Sequence, residues 1–191
     1  MIQEIYPKVF YPEYRRKKAT KENNKKSFVL HFEYNKVMLI KDALTGALSI
    51  PRFEDLEEED ENIYEKSYYV NSVDDEEFYL VEDMSLPEFG GFYLEGIHAL
   101  REFEPRYQAF ASVSASQVYR WLQSRKYCGY CGTKTEKSLT ERALICPKCK
   151  YIEYPKISPA VIVAIRNGNR LLLTKNAKGV YNYYALVAGF V

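Results

Sequence analysis

Cys128-Gly129-Tyr130-Cys131 and Cys146-Pro147-Lys148-Cys149 decide the reading of this 191-residue chain. Two residues between cysteines let one tight turn aim both sulfurs at a single point, and Gly129 and Gly132 permit the backbone such a turn requires. Two turns of this kind complete a tetrahedron of thiolates. The 14 residues between Cys131 and Cys146 are long enough for a short hairpin, so the stretch reads as a four-cysteine zinc ribbon. Rubredoxin-like iron and a pair of disulfides are the alternatives on spacing. All four cysteines fall within 22 consecutive positions, whereas a secreted disulfide scaffold spreads its cysteines over the fold. With every ligand position filled by protein, a zinc ion here keeps no open site and is structural, not catalytic.

Upstream of the cysteines, Val118, Trp121 and Leu122 stand at i, i+3, i+4 spacing, which predicts a helix running into the ribbon. Ser112 or Ser114 is available as its N-cap, and Arg125-Lys126 suits the negative end of its dipole. Downstream, Tyr154-Pro155-Lys156-Ile157-Ser158-Pro159 predicts an extended connector. A new unit starts after it. Ala160 to Ile165 is a continuous apolar run, Asn167-Gly168 a turn signal, and Arg170 to Thr174 a return strand, which together predict a buried hairpin; Leu186 to Val191 is again strand-like.

The first half is sheet-rich in pattern. A hairpin is expected from Phe28–Tyr34 and Val37–Ile40 about a turn at Asn35-Lys36, with further strands at Ala47–Ile50, Tyr64–Val70, Phe78–Val81 and Phe92–Leu94. Most of the 18 tyrosines then serve half-buried strand faces. Two charge runs interrupt the pattern. Arg15 to Lys26 carries seven basic residues against Glu22, and Glu54 to Glu61 is acidic; both read as solvated surface.

Composition excludes several classes. At 47% hydrophobic and 28% charged residues the chain is neither disordered nor fibrous, and its net charge of +1 gives no overall pull toward nucleic acid or anionic lipid. The ribbon differs: from Ser124 to Ile157 eight basic residues face three acidic ones, a net +5. No run of about 18 apolar residues predicts a membrane span, and the first ten residues lack the order of a signal peptide, so a cytoplasmic protein without membrane partners is expected. Familiar catalytic devices are missing: there is no glycine-rich phosphate loop and no Ser-His-Asp set. His31 and His98 have no partner spacing and read as structural, and the carboxylates of residues 57–61 and 74–77 sit in polar runs where burial would not tune them.

The collinear order of this helix, Cys128-Gly-Tyr-Cys131-Gly, Tyr154-Pro-Lys-Ile-Ser-Pro-Ala-Val-Ile-Val-Ala-Ile165 and Ala188-Gly-Phe-Val191 closely resembles the NADH pyrophosphatases of the Nudix hydrolase superfamily. The resemblance runs from about Arg101 to Val191. It implies an α+β architecture: a sheet-rich, degenerate Nudix-like domain over residues 1–123, the zinc ribbon over 124–157, and the first β-strands of a Nudix domain, an α/β/α sandwich, over 158–191.

The resemblance also implies a function and a site. Family members hydrolyse the pyrophosphate of NADH or NAD⁺ to nicotinamide mononucleotide and AMP, and bacterial members also remove NAD caps from RNA. Arg101, Tyr154 and Phe190 match substrate-contacting positions, the guanidinium suiting a phosphate and the aromatic ring a base. Ala188 matches a position whose main-chain carbonyl helps hold a catalytic Mg²⁺ or Mn²⁺, and Cys128, Cys131, Cys146 and Cys149 match the structural zinc ligands. A homodimer acting on NAD(H) or NAD-capped RNA, and not on DNA, is implied. The Nudix signature G-x5-E-x7-R-E-x2-E-E-x-G, whose glutamates bind the catalytic cation, does not occur in these 191 residues. The chain is therefore expected to be a piece of a longer hydrolase, without catalytic residues of its own and inactive alone. A zinc-ribbon module that binds nucleic acid or protein is the alternative.

Overall fold

A two-residue alternation organises the core. Along β7 (Glu76–Val81), Phe78 and Leu80 enter one apolar cluster while Tyr79 and Val81 enter another. Its parallel neighbour β2 (Phe28–Leu30) splits in the same way, Phe28 and Leu30 against Val29. Successive strand side chains point to opposite faces, so the sheet is buried on both. The structure, a computed structural model, describes residues 2–88, 90–178 and 182–191, in two compact units, Met1–Pro155 and Lys156–Val191. It is mixed and sheet-rich, with few helices.

The first sheet has the order β1 (Phe10–Tyr11), β6 (Ser67–Val73), β7, β2. Helix α4 (Arg106–Ser124) covers one face: Ala109 and Ala115 let its backbone approach, and Val118, Trp121 and Leu122 fill the space against the sheet. Three helical turns, α1 (Lys21–Asn24), α2 (Phe53–Leu56) and α3 (Ile63–Lys66), lie outside the sheets. The last two supply Phe53, Leu56, Ile63 and Tyr64 to the other cluster, with Phe53 and Tyr64 stacked at 4.5 Å between ring centroids. Each such fully buried side chain contributes about 1.5–3 kcal/mol. The result is three layers: helix, sheet, helical turns.

At His31 the chain leaves this sheet for a second. His31 Nδ1 donates to the Val81 carbonyl at 2.9 Å, and the following β3 (Phe32–Glu33) forms a hairpin with β4 (Lys36–Lys41). The single strand expected over residues 28–34 is thus two short strands in different sheets. The turn falls at Tyr34-Asn35, with Tyr34 at φ 53°. β5 (Leu48–Ser49) pairs with the far end of β4, and β8 (Phe92–Gly96) runs along it.

Two local expectations are corrected, while the charge runs lie on the surface as expected. Helix α4 begins at Arg106 behind Pro105, so neither Ser112 nor Ser114 is its N-cap; Ser112 is buried in mid-helix and its hydroxyl donates to the Gln108 carbonyl at 2.8 Å. A serine inside an alanine-rich helix satisfies itself on the preceding turn and need not start one. Residues 63–66 form a helical turn, and the strand starts at Ser67. The opposite charge runs are paired across space: Lys21 and Lys25 reach Glu57 at 3.4 and 3.2 Å.

In the second unit β12 (Ala160–Val163) pairs antiparallel with β17 (Val187–Phe190), Ala160 opposite Phe190 and Val163 opposite Val187. A small hairpin joins β13 (Arg166–Asn167) to β14 (Arg170–Leu171) about Gly168, and β15 (Thr174–Lys175) pairs with β16 (Tyr184–Ala185). The buried hairpin expected over residues 160–174 is corrected in partner and in burial, since Ile162 and Leu172 are exposed. Every ladder in this unit is two-stranded, and no layer within it covers either face among the described residues. No helix among the described residues is long and apolar enough to cross a membrane.

Candidate metal centre

The end of α4 feeds the first cysteine turn. After Arg125, Tyr127 and Lys134 form an antiparallel bridge, Cys128 N–H donates to the Thr133 carbonyl at 2.8 Å, and Gly132 N–H donates to Cys128 O at 2.9 Å. The second turn repeats the arrangement: Cys146 N–H donates to Tyr151 O at 2.9 Å and Lys150 N–H to Cys146 O at 3.0 Å. Gly132 at φ 71° and Lys150 at φ 63° hold the equivalent left-handed position, each directly after the second cysteine. Glycine takes that conformation freely and lysine only with strain. Main-chain N–H groups of Tyr130 and Cys149 point at Cys128 Sγ and Cys146 Sγ, both at 3.4 Å.

The two turns bring the four Sγ atoms within 4.8 Å of one another, with Cys128 to Cys149 at 3.6 Å and Cys131 to Cys146 at 3.4 Å. A tetrahedral ion with bonds of about 2.3 Å to sulfur sets its ligands about 3.8 Å apart, so the donor set fits zinc. All four cysteines are free, and these separations far exceed the roughly 2.05 Å of a disulfide. Hydrogen bonds from the Thr133 hydroxyl and main chain pull the Cys131 thiol down to about 6. At Cys149 the Tyr151 main chain pulls the same way, but burial and the neighbouring thiols outweigh it and push the group up to about 12. Among the described residues no other group of three or more His, Cys, Asp or Glu side chains converges in this way.

Three short strands complete the ribbon: β11 (Ile152–Glu153), β10 (Leu144–Ile145) and β9 (Glu136–Lys137), in that order. Leu144 belongs to the main core cluster. Arg142 donates to the Val70 carbonyl, Tyr14 donates to Ser138 O at 3.2 Å, and Lys137 pairs with Glu82 at 2.5 Å while lying over the Tyr68 ring. The ribbon is thereby docked on the first sheet. These docking residues carry no signal in the sequence, because their partners lie 55 to 124 positions away.

The other expected site residues are divided between the two units, Arg101 and Tyr154 in the first and Ala188 and Phe190 in the second. Arg101 ends a 3₁₀ turn over Ile97–Arg101 and is exposed. Tyr154 follows β11, is half exposed, and donates its hydroxyl to Glu141 at 3.1 Å, a bond that raises its pKa. Ala188 and Phe190, two apart on β17, share one side of that strand. His31 is buried, with Nε2 3.7 Å from Glu33, and His98 is exposed.

Residues 123–154 match the family described as the NADH pyrophosphatase zinc ribbon domain. The NAD-capped RNA hydrolase NudC of Pectobacterium carotovorum is 43% identical over 75 residues, 39% of this chain and 29% of that protein. The protein of the same name from Pseudomonas fluorescens is 33% identical over 129 residues, 63% of this chain and 44% of that protein. That from Shigella flexneri is 41% identical over 75 residues, 39% of this chain and 29% of that protein. The chain spans less than half the length of these curated relatives, and the alignments are longer than the ribbon. Over residues 123–154 the chain therefore matches the NADH pyrophosphatase zinc ribbon domain, and over a longer stretch it is similar to part of the NAD-capped RNA hydrolases.

Proposed function

We propose that the whole protein is a Nudix-type NAD(H) pyrophosphatase, which hydrolyses the pyrophosphate of NADH or NAD⁺ to nicotinamide mononucleotide and AMP and removes NAD caps from RNA. The observation that carries the reading is the ribbon: its sequence matches this family, and its four sulfurs stand at zinc-binding distance. In this reading residues 1–123 are a degenerate Nudix-like domain, residues 124–157 the ribbon, and residues 158–191 the first strands of the hydrolase domain. The three-layer arrangement about β7 and the β12–β17 ladder are compatible with that division.

Arg101 then places a guanidinium against a phosphate, Tyr154 contacts the substrate beside the ribbon, and Phe190 stacks on a base or nicotinamide ring. The carbonyl of Ala188 is an oxygen donor of the kind Mg²⁺ and Mn²⁺ take, and it forms one corner of a site completed by the signature glutamates. When bound, the divalent cation supplies Lewis-acid polarisation of the phosphoryl oxygens. The working protein is a cytoplasmic homodimer in this reading.

The test is product analysis with NADH and Mg²⁺. The full-length protein releases AMP and nicotinamide mononucleotide, and residues 1–191 alone release neither. A zinc-loaded, folded full-length protein that yields no AMP would overturn the proposal.

A further inference from the structure

The metal-bearing end of the ribbon carries more than a structural ion requires. Tyr127, Tyr130 and Tyr151 are 66%, 83% and 50% exposed there, and Lys134, Lys148 and Lys150 are exposed without an ion pair to any described residue. The fold puts these residues together. Tyr130 and Lys148 lie between the paired cysteines of the two turns, whose sulfurs converge within 4.8 Å. Tyr127 bridges Lys134, while Lys150 and Tyr151 close the second turn on Cys146. Tyr127 and Tyr151 line one small depression together with Cys128 and Gly129.

Two of the ribbon's acids are engaged within it: Glu153 pairs with Arg125 at 3.0 Å, and Glu141 accepts from Tyr154. A zinc ion held by four thiolates bears a net double negative charge, which accounts for part of the lysine excess. It accounts for none of the tyrosines. Aromatic rings left in water beside unpaired cations match the chemistry that holds a single-stranded nucleic acid, in which rings stack on unpaired bases and cations meet phosphates.

We propose that this tip, through Tyr127, Tyr130 and Tyr151 with Lys134, Lys148 and Lys150, binds an unpaired stretch of RNA without sequence preference. The choice of RNA rests on the proposed action on NAD-capped RNA; the binding itself requires no hydrolysis. Helical RNA, whose bases are already stacked, is a poor ligand for such a surface.

Fluorescence anisotropy of the 191-residue chain, zinc-loaded, with a labelled uncapped single-stranded oligoribonucleotide tests it. Binding is expected at low salt and falls steeply as salt rises. In the Lys134→Glu, Lys148→Glu double variant affinity drops about tenfold or more, and the log-log salt slope shrinks by about 1.4, at roughly 0.7 per lost phosphate contact on a single strand. In Tyr130→Ala, Tyr151→Ala affinity drops by about tenfold or more with the slope unchanged. Native mass spectrometry reports zinc for each variant, and Lys134→Gln, Lys148→Gln replaces the charge reversal if that variant loses metal. Zinc-loaded variants that bind like the parent overturn the proposal, as does a parent that prefers a hairpin duplex or binds no RNA at low salt. Because the probe carries no cap, these results stand apart from whether the full-length protein cleaves NADH.

Discussion

Arg142, on the turn between β9 and β10, donates from Nη2 to the main-chain oxygen of Val70 in β6 at 2.5 Å, and so ties the ribbon to the centre of the first sheet. Its Nε is buried without a partner among the described residues, and the guanidinium also hydrogen-bonds the Tyr68 hydroxyl, so the side chain is held by these two contacts and by packing. Replacing it with methionine keeps most of the stem and removes both charge-assisted bonds. A loss of about 1–3 kcal/mol is expected in denaturant unfolding at neutral pH. An unchanged midpoint would show that the bonds contribute nothing net to docking.

Cys128→Ser takes one corner from the tetrahedron. Structural zinc supplies folding free energy outright, so the variant is expected to lose its metal and the order of residues 126–154. Amide exchange separates the ribbon from the rest: protection falls over that stretch while β6 and β7, buried in both core clusters, keep theirs. A variant that retains zinc and full protection would remove the ion from its structural role.

How much of this was legible in the sequence depends on how far apart the interacting residues are. Each cysteine turn is closed by hydrogen bonds across five or six residues, such as Cys128 to Thr133 and Cys146 to Tyr151, so spacing alone revealed it. The apolar stripe of α4 was readable for the same reason. The splitting of residues 28–34 between two sheets was not, because β2 takes its place by parallel pairing with β7, some 50 positions away. The partner of β12 is β17, again distant, and the nearer hairpin signal at Asn167-Gly168 overshadowed it. The substrate positions Arg101, Tyr154, Phe190 and Ala188 rest on resemblance, since nothing in their own surroundings marks them.

Asp74 gives stability an acid-sensitive component. The Val9 N–H at 2.9 Å and Lys8 at 3.2 Å, the main-chain bond leading, hold its carboxyl below the ordinary carboxylate range. A depressed folded-state pKa stabilises the fold above the unfolded value of about 3.9 and is lost as pH falls through the lower, folded one. Asp74→Asn should therefore be less stable than the parent at pH 7, with the gap closing as acid is added below pH 4. A constant gap across that range would assign the effect to altered contacts at this turn, where the asparagine oxygen can still accept from the Val9 N–H, and not to charge.

Trp121, the only tryptophan, is 7% exposed in the core beneath α4, and its indole N–H is buried without an acceptor among the described residues. A donor desolvated in this way costs about 1–3 kcal/mol, which a substitution to phenylalanine recovers. The same change removes part of the packing volume. The two effects oppose each other, so Trp121→Phe should stay within about 1 kcal/mol of the parent, whereas Leu122→Ala, one position on and with no polar group to relieve, should cost about 2–5 kcal/mol. Paired unfolding curves, followed by circular dichroism because the fluorophore is gone, make the comparison. If Trp121→Phe costs as much as Leu122→Ala, the indole has an ordered water or another acceptor in solution, and the tryptophan is there for its hydrogen bond as well as its bulk.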